Sequence, residues 1–336
     1  MNDTTTPVSA PPPAPISAVD MAALNRRAAL ASMSVATLLL GMKIWATIST
    51  GSAAMLGSLA DTALDLVASV STLLGVSIAA IPDDAGHRFG HGKAEALAAM
   101  FQVVLISLSA FGLALRSIQQ FFGHGPVEDP GSGILVSVIA IIATFALVAY
   151  QRHVIRKTQS LAISTDHFHY LSDLVLNLAV IVALVLDHWA RIPGVDEIFG
   201  LAIAVWLGRG AWEASQQAIE QLMDSEWPLE KRERFLAAIP HHPALKGIHD
   251  FRTRTSGRRD FAQFHIWVDG RMSVAAAHKV MDVIEDGLHK EFPEVEILIH
   301  TDPEGLVDEG PLGSNDVLPH QEQDISPALL VQGRLR

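Results

Sequence analysis

The chain has no cysteine. That removes disulfide staples and thiolate metal sites together, so any metal held here is held by His, Asp or Glu. Charge is also scarce. Asp, Glu, Lys and Arg make up 18% of the residues, against about 25% in an ordinary soluble domain. What charge there is leans acidic, with 36 Asp and Glu against 24 Lys and Arg, a net of −12. Binding a phosphate backbone calls for concentrated Lys and Arg, so nucleic acid is excluded as a partner. The opening segment, MNDTTTPVSAPPPAPISAVD, has no basic stretch followed by an apolar one, which argues against a cleaved signal peptide. Its Pro, Ser and Thr read as a disordered extension over residues 1–24, and the Pro/Gly/acidic sequence of 306–336 reads as a disordered tail.

Apolar sequence takes the place of charge. Hydrophobic residues are 49% of the 336, and the mean hydropathy is +0.30. A helix crossing a bilayer needs ~20 mostly apolar residues. Six segments qualify: 28–50, 57–81, 95–122, 131–155, 162–187 and 195–222, the last two with polar interruptions. They predict a six-helix transmembrane domain over 25–224. Six crossings put both termini on one side of the lipid bilayer. One set of flanks carries Arg26, Arg27, Arg88, Lys93, Arg152, Arg156 and Lys157, and the other only Arg191. The positive-inside rule therefore places both termini in the cytoplasm.

The texture changes after the sixth segment. PLEKRERFLAAI reads as an amphipathic helix, GIHDFRTRTS and DFAQFHIWVDG as strands joined near Gly257, SVAAAHKVMDVIEDGLHKEF as a helix, and EVEILIHTDP as a third strand. This α-β-β-α-β order predicts a small α+β domain over 225–305. It lacks a full ferredoxin-like set of strands.

The polar residues inside the membrane segments point to chemistry. Asp61 and Asp65 in the second segment, and His169 and Asp173 in the fifth, each stand at i, i+4 and so share one face of a helix. An Asp near a membrane helix centre costs roughly 2.5–3.5 kcal/mol. Three facing lipid would cost roughly 8–10 kcal/mol, so the groups need a partner. A divalent cation bound by carboxylate oxygens and one imidazole removes the cost; that donor set suits Zn²⁺ and also takes Fe²⁺, Co²⁺ or Cd²⁺. A water-filled cavity, helix-end caps or a proton relay would also account for them. Asp166 and His167, one turn earlier, read as part of an entrance funnel or as solvated groups. Between the second and third segments, Asp84, His87 and His91 follow at spacings of three and four among Gly86, Gly90 and Gly92. One carboxylate and two imidazoles on such a loop can hold a metal, and equally can stand solvated.

Six spans, D-x-x-x-D in the second, H-x-x-x-D in the fifth and the loop phrase HRFGHGKAEALAA together resemble the cation diffusion facilitator family, and its bacterial zinc/iron–proton antiporters in particular. The resemblance runs from about residue 24 to 305. It implies a non-enzymatic, proton-coupled exporter of divalent metals, working as a homodimer by alternating access in a bacterial inner membrane. It implies a transport site of Asp61, Asp65, His169 and Asp173 and a loop site of Asp84, His87 and His91. A pair of zinc ions would be held by His249, His265, His278, His300 and Asp302 in a metallochaperone-like cytoplasmic dimerisation domain. Lys93 would pair with Asp224 at the dimer contact. The family's manganese branch usually lacks the fifth-span His, so His169 favours zinc as cargo, with Fe²⁺, Cd²⁺, Co²⁺ and Ni²⁺ as alternatives. Two other classes compete. An intramembrane metalloenzyme would need a motif such as H-E-x-x-H, which is absent. A membrane-bound metal sensor has no use for ligands at mid-membrane depth.

Overall fold

A computed structural model describes residues 17–50, 53–122, 134–190, 195–257 and 259–306. Six long helices come first: α1 (Ala18–Thr50), α2 (Ala53–Ala79), α3 (Ala94–Phe121), α4 (Ile134–Thr158), α5 (Leu161–Ala190) and α6 (Val195–Leu222). Each of the six expected segments is one of these helices. Among the described residues, four are long and apolar enough by composition to cross a membrane, in α1 to α4. α5 and α6 carry the polar interruptions noted above.

α1 starts inside the segment expected to be disordered, so residues 18–24 are helical rather than part of a lead-in. The local reason is a cap. Ser17 Oγ accepts from Asp20 N at 3.1 Å, and Asp20 sits in the first turn, where a negative charge is favourable. Residues 1–16 and 307–336, most of the two expected disordered ends, lie outside the described residues, as does Arg191.

The chain divides into two compact units. The first holds α1, α2, α4, α5 and most of α3 and α6. In it, α1 packs on α2 and α4, and α5 on α4 and α2. Small residues set the closest approaches. A Cβ on Gly210 of α6 would stand 2.0 Å from the Phe168 ring of α5, and one on Gly200 would stand 2.2 Å from Ser117 Oγ of α3.

The second unit contains residues 81–100, the end of α6 and the C-terminal elements. These are α7 (Leu229–Ala237), β1 (Gly247–Ser256), β2 (Arg259–Val268), α8 (Val274–Glu291) and β3 (Val295–Pro303), the expected α-β-β-α-β order. The sheet order is β1-β2-β3, with β1 antiparallel and β3 parallel to β2. One face is the core. Phe251, Phe264, Ile266 and Val268 pack against Phe235 of α7 and Val280, Ile284 and Leu288 of α8. Strand alternation then puts His265 and Trp267 on the opposite face.

A bulge in β1 decides which side chains share that opposite face. The pairing shifts register between His249 and Arg252, and Asp250 takes φ +49°. Without the bulge, residues 249 and 251 would point the same way. With it, Phe251 enters the core while His249 pairs with His265 across the strands.

Candidate functional site

Within the first unit, α2 and α5 bring Asp65, His169 and Asp173 together, each offering a ligand atom within 4.8 Å of the others. His169 Nε2 lies 3.1 Å from Asp65 Oδ1 and 3.8 Å from Asp173 Oδ2. The imidazole is 9% exposed, while the Asp65 and Asp173 carboxylates are more open, at 21% and 34%. One imidazole nitrogen thus touches both carboxylates, a donor set with the chemistry of a divalent-cation site. Asp61, one turn before Asp65, is exposed and stands outside this group of three.

Two neighbours of the group differ from the sequence reading, one passed over there and one given another role. Lys43 on α1 donates to Ser58 O at 3.1 Å and to Thr62 Oγ1, and its charge interacts with Asp65, Asp173 and Asp61. A lone Lys within an apolar segment was its signal, because an ammonium at membrane depth needs anions nearby. The other is Asp166, where the reading as a solvated or funnel residue is corrected. It is fully buried and accepts hydrogen bonds from Ser32, Thr72, Gln102 and Gln151.

The loop residues form a second group. Asp84 Oδ1 accepts from Gly86 N at 2.8 Å and His87 N at 2.7 Å. These backbone donors hold its carboxyl below the usual carboxylate range. His87 Nδ1 is 3.4 Å and His91 Nε2 3.5 Å from the Asp84 carboxylate, and the two rings lie 4.4 Å apart. Close contacts seat the loop on the β1–β2 turn. Asp83 pairs with Arg259 at 2.7 Å, which pulls the Asp83 carboxyl down, and Phe89 meets the edge of Phe261 at 5.6 Å. Gly90 needs its glycine for φ +76°, and Gly92 for proximity. A Cβ on Gly92 would lie 2.3 Å from Ser256 O and 2.7 Å from Gly257 N. Gly92→Ala is therefore expected to cost about 1–3 kcal/mol, read as a lower melting temperature and faster tryptic cleavage at Arg88. Unchanged melting and cleavage would refute the close seating.

At the root of α3, Lys93 Nζ lies 2.9 Å from Asp224 Oδ2 and donates to Leu222 O at 3.2 Å. Arg254 Nη1 approaches the other Asp224 oxygen at 3.7 Å, with its guanidinium over the Phe89 and Phe261 rings.

The third group lies on the sheet face opposite the core. His249 pairs with His265, and His265 with His300, so three imidazoles stand side by side on three strands. Asp302, two residues beyond His300, serves all three. Its oxygens lie 3.2 Å from His249 Nε2, 2.8 Å from His265 Nδ1 and 3.2 Å from His300 Nε2. Both ring nitrogens of His249 are buried, and neither makes a well-aligned hydrogen bond among the described residues, the Asp302 contact to Nε2 being a close charge approach. Burial, then the neighbouring His265, hold this imidazole below its ordinary range, which favours the neutral form that ligates metal. Nδ1 has no hydrogen-bond partner among the described residues and Nε2 has only the Asp302 oxygen at 3.2 Å, so a Lewis acid would satisfy what they leave open and the donors fit a transition-metal ion. His278 on α8 stands apart, exposed and 3.6 Å from Asp282. Asp250 is an addition, 3.6 Å from His265 Nε2 by way of the β1 bulge, and strand alternation in the sequence gives no sign of it.

The chain is similar to known proteins along most of its length. Residues 29–223 match the cation efflux transmembrane domain, and residues 227–304 match the cation efflux protein cytoplasmic domain. The cation-efflux pump FieF of Serratia proteamaculans is 40% identical over 292 residues, covering 87% of this chain and 97% of that protein. FieF of Escherichia coli strain K12 is 39% identical over 284 residues, covering 84% and 94%. The metal-bound C-terminal domain of the CzcD transporter from Thermotoga maritima is 31% identical, covering 24% of this chain and 94% of that one, with a TM-score of 0.23. The chain is a multi-pass membrane protein that belongs to the cation efflux family, the cation diffusion facilitators, whose members export metal cations.

Proposed function

We propose that this protein exports Zn²⁺ across a bacterial inner membrane in exchange for protons, as a homodimer with both termini in the cytoplasm. The observation that carries the reading is His169 Nε2 in reach of both Asp65 and Asp173, on two helices of the membrane unit. Asp61, one turn along the same helix, is the fourth ligand in this reading and joins when α2 moves. A metal ion takes deprotonated ligands, so metal and protons compete for one set of atoms. His169 is the natural carrier, because an imidazole titrates near neutrality. Alternating access then moves metal one way and protons the other. The loop group and the sheet group are resident sites. Asp84, His87 and His91 hold the first; His249, His265, His300 and Asp302, with His278, hold the second. There the metal tightens the dimer of the 225–305 domain. Lys93 and Asp224 fix the dimer contact near the root of α3.

The test is metal uptake into inverted membrane vesicles with an acidic interior. Zn²⁺, Fe²⁺, Cd²⁺, Co²⁺ and Ni²⁺ are offered in turn. Zn²⁺ is expected to accumulate fastest, and uptake is expected to collapse when the pH gradient is removed. Uptake that ignores the gradient would overturn the antiport. No uptake of any metal would overturn export.

A further inference from the structure

Among the described residues, the most deeply placed carboxylate of the membrane unit lies outside the metal group. Asp166 of α5 has no exposed surface, and side chains from four other helices converge on it. Ser32 Oγ of α1 and Gln151 Nε2 of α4 donate to Oδ2 at 2.6 and 2.7 Å. Gln102 Nε2 of α3 and Thr72 Oγ1 of α2 donate to Oδ1 at 2.8 and 3.3 Å. The donors also brace one another. Gln102 Nε2 is 2.7 Å from Thr72 Oγ1, and Gln151 Nε2 is 2.9 Å from Ser32 Oγ. All four are buried. One carboxylate therefore joins five helices, and no part of the expected metal chemistry uses it.

Its place on α5 gives the cluster a consequence. Residues 166, 169, 170 and 173 fall at i, i+3, i+4 and i+7, which is one face of a helix. Tyr170 adds a second anchor on that face. Its hydroxyl is 2.7 Å from Ser69 Oγ of α2 and donates to Ser32 O at 3.4 Å. His169 and Asp173 thus belong to a helix whose rotation is fixed at 166 and 170 by α1, α2, α3 and α4. Apolar packing alone would hold such a bundle together at comparable stability. A buried carboxylate bonded at both oxygens by four directed donors instead favours one arrangement out of many similar ones, even though Gln102 Oε1 and Gln151 Oε1 have no hydrogen-bond partner among the described residues.

We propose that Asp166 is the positioning residue of the intramembrane metal site. Its cage fixes the rotation of α5, and through that rotation the approach of His169 and Asp173 to Asp65. The proposal rests on the reading of those three residues as the transport site.

Purified wild type, Asp166→Asn, Gln102→Leu and Gln151→Leu are compared in proteoliposomes for Zn²⁺ and Cd²⁺ transport, with helix content and melting measured alongside. Losing a group that orients metal ligands typically costs 10–100-fold in affinity or activity. Asp166→Asn is therefore expected to raise the Zn²⁺ KM by about tenfold or more and to change the ratio of Zn²⁺ to Cd²⁺ rates. The two Gln variants are expected to move both readouts less, in the same direction. A cluster that only holds the bundle together would reduce the amount of active protein, lowering the maximal rate with KM and the ion ratio unchanged. That outcome overturns the proposal. Should Asp166→Asn fail to assemble, unchanged KM and ratio in both Gln variants overturn it equally. Should the wild type carry no Zn²⁺, the export reading is what fails. Equilibrium Zn²⁺ titration of the site that Asp65→Ala removes, repeated on the same variants, then decides positioning by itself.

Discussion

Replacing Asp65 with Ala is expected to abolish Zn²⁺ transport and the proton flux coupled to it, a loss of at least about 100-fold, beyond what the loss of an orienting partner costs. Asp65 supplies the carboxylate nearest His169, at 3.1 Å, and it is the only α2 member of the group of three. Without it, the imidazole and Asp173 stand on α5 alone, four residues apart, and nothing from α2 closes the site unless Asp61 moves in. The variant is expected to fold. The contacts that seat α2 run through the buried Ala68, Ser69 and Thr72, and through hydrogen bonds to Tyr170 and Asp166 that Asp65 does not share. Removing a charge from membrane depth relieves a cost rather than adding one. The measurement is Zn²⁺-driven proton flux in proteoliposomes, with helix content as the control for assembly. Retained flux would sink the assignment of this site. Asp61→Ala separates two versions of it: a loss as large makes Asp61 a working ligand, whereas a small loss leaves the site to the three residues already in contact.

The candidate ligands that are legible in the sequence are those for which cost and period agree. Asp65, His169 and Asp173 are expensive in a membrane helix, and their i, i+4 spacing aligns them. That spacing fixes a face and says nothing about which of two turns meets the neighbouring helix. Asp61 therefore read as an equal member, yet it stands exposed outside the group. Asp166 was misread for a different reason. Its partners, Ser32, Thr72, Gln102 and Gln151, lie in four different helices, and none stands out alone. Only the pairing of a buried Asp with Gln residues inside apolar runs hints at a shared partner. In the sheet, the sequence pattern marked all three strands, but a β-bulge adds one residue without a compositional mark. The turn of Asp250 toward His265 could not be read from GIHDFRTRTS. The loop was recognisable as a phrase, although the need for Gly92 depends on a backbone 164 positions further along, at Ser256.

Asp302→Ala is expected to abolish metal binding on the sheet face while leaving the domain folded. The reason for the first effect is that Asp302 is the common element of the group: its two oxygens meet His249, His265 and His300 at 2.8–3.2 Å. Without that carboxylate the three imidazoles keep only Asp250, 3.6 Å from His265 alone, to offset a divalent charge, so affinity is expected to fall by at least about 100-fold, more than the loss of a mere orienting partner. Protonation of His249 does not explain such a loss. Asp302 pulls the His249 pKa upward against burial, so removing it leaves the imidazole more firmly neutral and competent as a ligand. Folding is preserved because the apolar core lies on the other face of the sheet, among Phe235, Phe264, Ile266 and Ile284. The check uses the full-length protein in detergent, with dimer dissociation followed at increasing Zn²⁺. Wild type is expected to dissociate at least about tenfold less readily when Zn²⁺ is present, and Asp302→Ala to show no Zn²⁺ dependence, since a ligand stabilises only the state that binds it. His278→Ala sharpens the result, because His278 is exposed and apart from the cluster within one chain. An effect as large as that of Asp302→Ala would mean that the bound state draws α8 into the site. No effect would leave the metal to the three strands. A dimer that tightens with Zn²⁺ even in Asp302→Ala would place the stabilising ion elsewhere, in the loop group of Asp84, His87 and His91.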